Sequence, residues 1–350
     1  MKRNKLIGLA AAALVLSVAA YMTSSSRKVK TPSCLGKPVL PGLDLSRIRK
    51  IELKDKNDQT LKLESSDSGW KITSHFDYPA DIPIIRKQLL KIKELRIGQK
   101  ADAEKVTDAT VLDMQDKTGR SIATLRLGDE HLGKARGQMT QYSGGSFPDG
   151  RYVAPGGDEK AYLVKEPLSS FTPDVKNWTD TEIVDISSSD VNGIALIKGD
   201  EVCTLSKKEG SWTVAGLNTN EEFDTSSSYS LESALSSLSF TDLGDPAMSD
   251  SASGISTGAF YKVTLKNGES YTASLGNTTE GSSDRYMKIA ASFTPQGTNE
   301  TVNTAARTKI ENFNEKTSEW LYVIPSHKAE SMLKTRSDLV KNKEEQEENK

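Results

Sequence analysis

The sequence is 350 residues long, 35% hydrophobic, 27% charged and 6% aromatic, with 46 basic against 48 acidic side chains. That length and the low apolar share favour two modest domains, or one repeated unit, over a single large core. Three histidines (His75, His131, His327) and two cysteines (Cys34, Cys203) exclude a Cys/His zinc cluster and a disulfide-stapled miniprotein, and they weigh against histidine-dependent catalysis.

The near-neutral balance hides an asymmetry. The first 30 residues hold Lys2, Arg3, Lys5, Arg27, Lys28 and Lys30 and no acid, so the rest carries 40 basic against 48 acidic groups. An acidic body without a basic stripe argues against nucleic-acid binding. Leu6 to Met22 is an uncharged run of seventeen residues, about 25 Å as a helix, and the uncharged Thr23 to Ser26 extend its reach to about 31 Å. Two readings compete: a cleavable secretory signal, with Val18 and Ala20 suited to a peptidase, or an uncleaved signal-anchor. The length of the run and the bulky Tyr21 and Met22 beyond the cleavage point favour the anchor, a transmembrane helix within residues 1–30. Basic groups flank both ends, so charge does not set its orientation. By either export route the main domain is expected outside the cytoplasm, and the anchor makes the chain a single-pass inner-membrane protein facing the periplasm.

Residues 31–44 are a Pro- and Gly-containing spacer that holds Cys34. An oxidising compartment permits a Cys34–Cys203 disulfide; the alternative is a buried Cys203 and an incidental spacer thiol.

Beyond the spacer the order of elements repeats at a period near 142 residues, as from Trp70 to Trp212. A first unit at 45–180 opens with a hairpin in which Ile51, Leu53, Leu61 and Leu63 alternate with polar residues around the turn Lys56–Gln59. A second, at 181–325, repeats it with Ile194, Leu196, the turn Lys198–Glu201, Val202 and Leu205. Trp70 and Trp212 close these hairpins as expected core anchors. Amphipathic helices follow, one with Ile82, Ile85, Leu89 and Ile92 behind an Asp81 N-cap, the other with Leu231, Ala234, Leu235 and Leu238 behind a Ser227 N-cap. Each unit then shows a hairpin around a glycine (Gly119, Gly268), an Arg-Tyr pair starting a strand (Arg151-Tyr152, Arg285-Tyr286), and a Phe and Trp seven apart (Phe171/Trp178, Phe313/Trp320) ahead of an apolar strand. The expected fold is therefore α+β: two tandem copies of an antiparallel sheet covered by one amphipathic helix. Met248–Gly258 reads as an inserted mobile loop. Residues 326–350 read as a C-terminal helix containing Met332, Leu333, Leu339 and Val340, followed by a solvated charged tail.

Motifs that carry chemistry are sparse. Gly254-Ile255-Ser256-Thr257-Gly258 fits G-x-S-x-G, but no strand precedes it and His327 is the only later histidine. His327 and Glu330 could share a helical face as two metal ligands, without a third nearby. Asp129, Glu130 and His131 lie in an expected polar loop after Gly128, whereas the second unit has Asn277, Thr278 and Thr279 after Gly276. Neither a Walker loop nor a dinucleotide glycine fingerprint occurs, since Gly36-Lys37 and Gly133-Lys134 lead into Pro38 and Ala135. The Arg-Tyr pairs read as structural devices on sheet edges. The sequence thus assigns no catalytic, cofactor-binding or metal residue and no cofactor, and the chain is expected not to be an enzyme; a carboxylate-based hydrolase is the least favoured class.

The N-terminal apolar segment, the opening IRKIELKDKNDQTLKLESSDSGWKI, the helix from Asp81 to Leu95 and a second copy after Trp178 together resemble the bacterial domain-of-unknown-function family 4340. The resemblance spans residues 45 to about 325 and rests on hydrophobic spacing with a few Trp and Gly positions. It implies an envelope protein that acts as accessory to an ABC transporter of the gliding-motility type, and it carries no catalytic residues. The expected partner is an inner-membrane complex of that kind. A glycan or peptide held in a groove between the repeats is the alternative.

Overall fold

A computed structural model of the chain describes Ser17 and residues 34–134, 146–157 and 160–343. Apart from Ser17, the apolar run at 6–22 lies outside the described residues, as does the tail from residue 344. Among the described residues no helix is long and apolar enough to cross a membrane.

In chain order the elements are β1 (Lys50–Lys54), β2 (Thr60–Ser66), β3 (Gly69–Ile72), β4 (Tyr78–Pro79), α1 (Ile82–Glu94), β5 (Gln99–Ala101), β6 (Thr110–Gln115), β7 (Ser121–Lys134), β8 (Ser146–Pro155), β9 (Ala161–Val164) and β10 (Glu182–Val184). Then come β11 (Val191–Lys198), β12 (Glu201–Lys208), β13 (Ser211–Val214), β14 (Glu221–Phe223), α2 (Ser228–Glu232), β15 (Leu238–Ser239), β16 (Asp242–Gly244), β17 (Ala259–Leu265), β18 (Glu269–Thr278) and β19 (Arg285–Phe293). The last are α3 (Glu300–Thr317), β20 (Leu321–Ile324), α4 (Ser326–Met332) and β21 (Val340–Asn342). Sheets dominate and the strands pair antiparallel, the α+β class expected from the alternating sequence.

The chain divides into two compact units. Among the described residues, one holds 90–109, those within 123–169 and the stretch up to Leu45; the other holds 46–89, 110–122 and 170–343. In the first unit the strands run β7-β8-β9-β5, and Val106, Ala154 and Ala161 form a small apolar cluster. The second contains the run β4-β3-β2-β1-β6 and an eight-stranded sheet, β13-β12-β11-β17-β18-β19-β20-β16.

The opening hairpin forms as its alternation requires: Ile51 pairs with Leu63 and Leu53 with Leu61, and all four side chains are buried. In β12, by contrast, Val202 faces solvent at 61% exposure while Cys203 and Leu205, two residues apart, face inward opposite Leu196 and Ile194. The strand period selects Cys203 rather than Val202. Both cysteines are free, Cys203 buried and Cys34 half-buried. Trp70 and Trp212 are half-buried rather than core anchors; the Trp212 indole donates to Glu232 under the ammonium of Lys207. The tryptophan that anchors the core is Trp178, fully buried edge-on to Phe171.

Helix α1 forms as expected, with Asp81 accepting the amide of Ile84 at 2.7 Å and Ile85, Leu89 and Ile92 buried. Its serine-rich counterpart does not. α2 is only five residues long, Ser227 makes no side-chain cap, and Leu238 belongs to β15. The Ser230 and Ser233 hydroxyls bond the carbonyls of Ser227 and Tyr229, and Ser237 turns the chain at φ 44. Serines that compete for backbone groups in this way shorten a helix. The segment still buries Leu231, Ala234 and Leu235, and Tyr261 and Lys328 donate to its carbonyls. The helix laid along the second sheet is α3, capped by Asn299, with Asn314 bonded to both N and O of Ala291 on β19.

Three further expectations change. The Met248–Gly258 segment is packed, with Ser253, Gly254 and Ile255 buried and the Ser253 carbonyl accepting from Asn277. α4 ends at Met332, and Leu339 leads into β21, which begins at Val340 and pairs with β14. Phe171 and Trp178 follow β9, whereas Phe313 lies on α3 ahead of β20, so the two spacings occupy different places.

Candidate functional site

The second unit holds a polar cleft of about 650 Å³, built from four separated segments. Gln59 and Thr60 come from the β1–β2 turn and the start of β2, and His75 from the turn between β3 and β4. Thr172 to Val175 come from the stretch after β9, and Thr241 and Asp242 from the entry to β16. Hydrogen bonds hold the last two of these segments. Asp174 accepts the amide of Lys176, and Asn177 donates to the Thr172 hydroxyl at 2.8 Å. The Trp178 indole donates to the Thr172 carbonyl at 3.2 Å, so the buried tryptophan pins the loop that forms this wall. Opposite, Thr241 donates to Asp284 at 2.8 Å and Asp242 accepts the amide of Leu243.

His75 lies between the walls. Its Nδ1 is 3.0 Å from the Ser74 hydroxyl and its Nε2 3.8 Å from a carboxylate oxygen of Asp242, with the imidazole 21% and the carboxylate 58% exposed. Nearby, Tyr78, Phe240, Trp320 and Tyr322 make edge-on and tilted ring contacts with centroids 4.7–5.6 Å apart. Burial pushes the Tyr78 hydroxyl up to about 12 and raises Tyr322 as well. The cleft thus offers hydroxyls, a carboxamide, an imidazole and two carboxylates. That set can donate hydrogen bonds to, and accept them from, neutral polar groups. Among the described residues no cluster of three His, Cys, Asp or Glu could hold a metal ion.

The family model described as "Domain of unknown function (DUF4340)" matches residues 70–257, more than half of the chain. The chain belongs to this family. No curated protein and no solved structure matches it. The DUF4340 match takes in His75, Thr172–Val175, Thr241 and Asp242, all of the cleft lining except Gln59 and Thr60.

The residues singled out from sequence lie elsewhere. Within the DUF4340 match, Asp129, Glu130 and His131 belong to strand β7 rather than to a loop. Each is engaged there: Asp129 with Lys105, Glu130 with Ser169, and His131 with Asp149 at 2.6 Å. Arg151, inside β8, donates to the carbonyls of Gly128 and Leu168, and burial lowers its pKa. Beyond the match, Arg285 donates to the carbonyl of Gly276 at 2.8 Å. Both arginines therefore brace backbone carbonyls. Ser256 is exposed on the packed loop, and its amide donates to Asp250. His327 and Glu330 are exposed on the seven-residue α4. Of the residues marked by sequence, only His75 is in the cleft.

Proposed function

We propose that the chain is a non-enzymatic accessory protein of the bacterial envelope that acts by binding. It is held as a single-pass protein in the inner membrane through residues 6–22 and carries its body outside the cytoplasm. The body is two tandem copies of one α+β unit, and an ABC-type membrane complex is its partner. Duplication is supported by strand order, because β3-β2-β1-β6 matches β13-β12-β11-β17 and β7-β8-β9-β5 matches β18-β19-β20-β16. The Arg151–Gly128 and Arg285–Gly276 bonds recur at matching places. The observation that carries a binding role is the cleft itself, lined from both halves of the body by hydrogen-bonding side chains. The membrane and transporter elements rest on the uncharged N-terminal run and on family resemblance. Affinity purification of the full chain from solubilised membranes tests the partner: co-recovery of transporter subunits is expected, and their absence refutes the association.

The polar lining favours a second reading, in which an envelope glycan or peptide occupies the cleft. Titrating envelope saccharide fragments and peptides into wild type and Asp242→Ala tests it. Binding that Asp242→Ala weakens supports the reading, and equal affinity for both proteins overturns it.

A further inference from the structure

We infer that the end of α1 and the segments beside it form a basic surface that contacts anionic lipid headgroups of the membrane in which the chain is held. The inference rests on the proposal that residues 6–22 are a membrane anchor. Within the first compact unit, a cleft of about 620 Å³ is lined by Leu35, Gly36, Lys91, Arg96, Lys165 and Glu166 among others. Lys37, Lys93 and Lys100 lie on the same segments and are exposed. Six cations thus stand on these stretches against two carboxylates, Glu94 and Glu166, and Glu166 is 3.0 Å from Lys91. This excess runs against the bulk of the chain, which after residue 30 has 48 acidic and 40 basic groups.

The helix dipole accounts for part of the pattern, because Lys91 and Lys93 sit in the last turn of α1 where cations are favoured. It does not account for Lys37, Arg96, Lys100 or Lys165, which lie outside the helix.

The second observation is where the tether arrives. Gly36 donates to Ile97, Val39 to Leu95 and Ile97 to Lys37 at 2.8–3.0 Å, which locks the spacer onto the chain just beyond α1. Eleven residues separate Met22 from Cys34, and fully extended they span at most about 40 Å. Arg27, Lys28 and Lys30 fall within that stretch and continue the same sign of charge. The part of the body closest along the chain to the anchor is therefore basic, and clustered cations beside an anchor favour anionic lipid.

The test uses the full chain reconstituted into vesicles of phosphatidylcholine alone or with phosphatidylglycerol, read by amide hydrogen exchange over residues 91–98 and 163–166. Exchange about fivefold slower with phosphatidylglycerol is expected, reversed by high salt and abolished by Lys93→Glu/Arg96→Glu/Lys165→Glu, whose fold is checked by circular dichroism. Equal exchange in both vesicles overturns the inference. So does equal protection by inorganic phosphate in phosphatidylcholine vesicles, which would make this an anion site and not a lipid surface. Flotation separates the anchor from the surface. A chain that fails to float with phosphatidylcholine refutes the anchor; if it still sediments with phosphatidylglycerol vesicles the basic surface stands, and if it does not, both fall.

Discussion

Trp178 ties the loop of the polar cleft to the core, so its truncation is the sharpest test of the architecture. The side chain is fully buried, lies 5.7 Å from Phe171 between ring centroids, and donates to the Thr172 carbonyl at 3.2 Å. Trp178→Ala removes the ring contact, the hydrogen bond and most of a large side-chain volume, so about 3–5 kcal/mol of stability should be lost. Trp178→Phe keeps much of the apolar contact but orphans the Thr172 carbonyl, and should cost roughly 1–3 kcal/mol. Urea unfolding followed by far-ultraviolet circular dichroism measures both, and an unchanged slope with urea places the loss in the folded state. Because the Trp178 carbonyl accepts the amide of Asp81, which caps α1, that amide should also exchange faster in the alanine variant. A loss under about 1 kcal/mol for Trp178→Ala would refute the reasoning, since it would mean this loop is not braced by its tryptophan.

Other consequences can be measured on the same protein. Glu269 is 3% exposed and takes both Lys309 (2.7 Å) and the Tyr271 hydroxyl (2.9 Å), while the Lys309 side chain is 59% exposed. Lys309→Ala leaves the carboxylate buried with one donor and should cost about 1–2 kcal/mol, whereas Glu269→Gln removes the charge and should cost less, both by thermal unfolding. Native protein should react with a thiol reagent at Cys34 alone, because Cys203 is 3% exposed and burial raises its pKa; mass spectrometry of the labelled peptides checks this. Alkali should destabilise the fold through Tyr78. Between its ordinary pKa near 10 and its folded value of about 12, the unfolded chain releases a proton that the folded chain keeps, so stability falls as pH rises through that window. The urea midpoint across it measures the slope, which Tyr78→Phe should reduce.

The fold was legible wherever one face of an element is buried and its period is regular. Ile51, Leu53, Leu61 and Leu63 face inward as their alternation demands, and the glycine turns at Gly119 and Gly268 take the positive φ that joins β6 to β7 and β17 to β18. Legibility failed where side-chain chemistry competes with periodicity. Leu231, Ala234, Leu235 and Leu238 have helical spacing and are all buried, yet the serines between them supply alternative partners for the backbone and the chain turns after one short helix. The reverse case is α3. ETVNTAARTKIENFNEKT buries only Asn303, Ile310 and Thr317, so its apolar stripe is thin, and its hold on the sheet combines the edge-on contact of Phe313 with Tyr271 and polar contacts of Asn314 and Lys309. A reading tuned to apolar period passes over such a helix, although Asn299 at its start is a recognisable cap.

The cleft was the least legible part, for a related reason. Its residues come from four segments brought together by tertiary packing, and several already have an ordinary structural job: Asp174 caps a turn, Thr241 bonds Asp284, and Asp242 accepts the next amide. A threonine or aspartate that stabilises a turn and one that lines a binding surface are the same signal in sequence. What separates them is the framework behind the cleft. Tyr78 belongs to β4 of the opening run, while Phe240 and Tyr322 flank or belong to the eight-stranded sheet, and all are buried. Ring contacts link Tyr78 to Phe240 and Phe240 to Tyr322, and a packed framework of this kind holds turn residues from separate strand runs in fixed places. A chain of modest cores and few reactive side chains can build a polar cleft this way without any residue that would mark itself in the sequence.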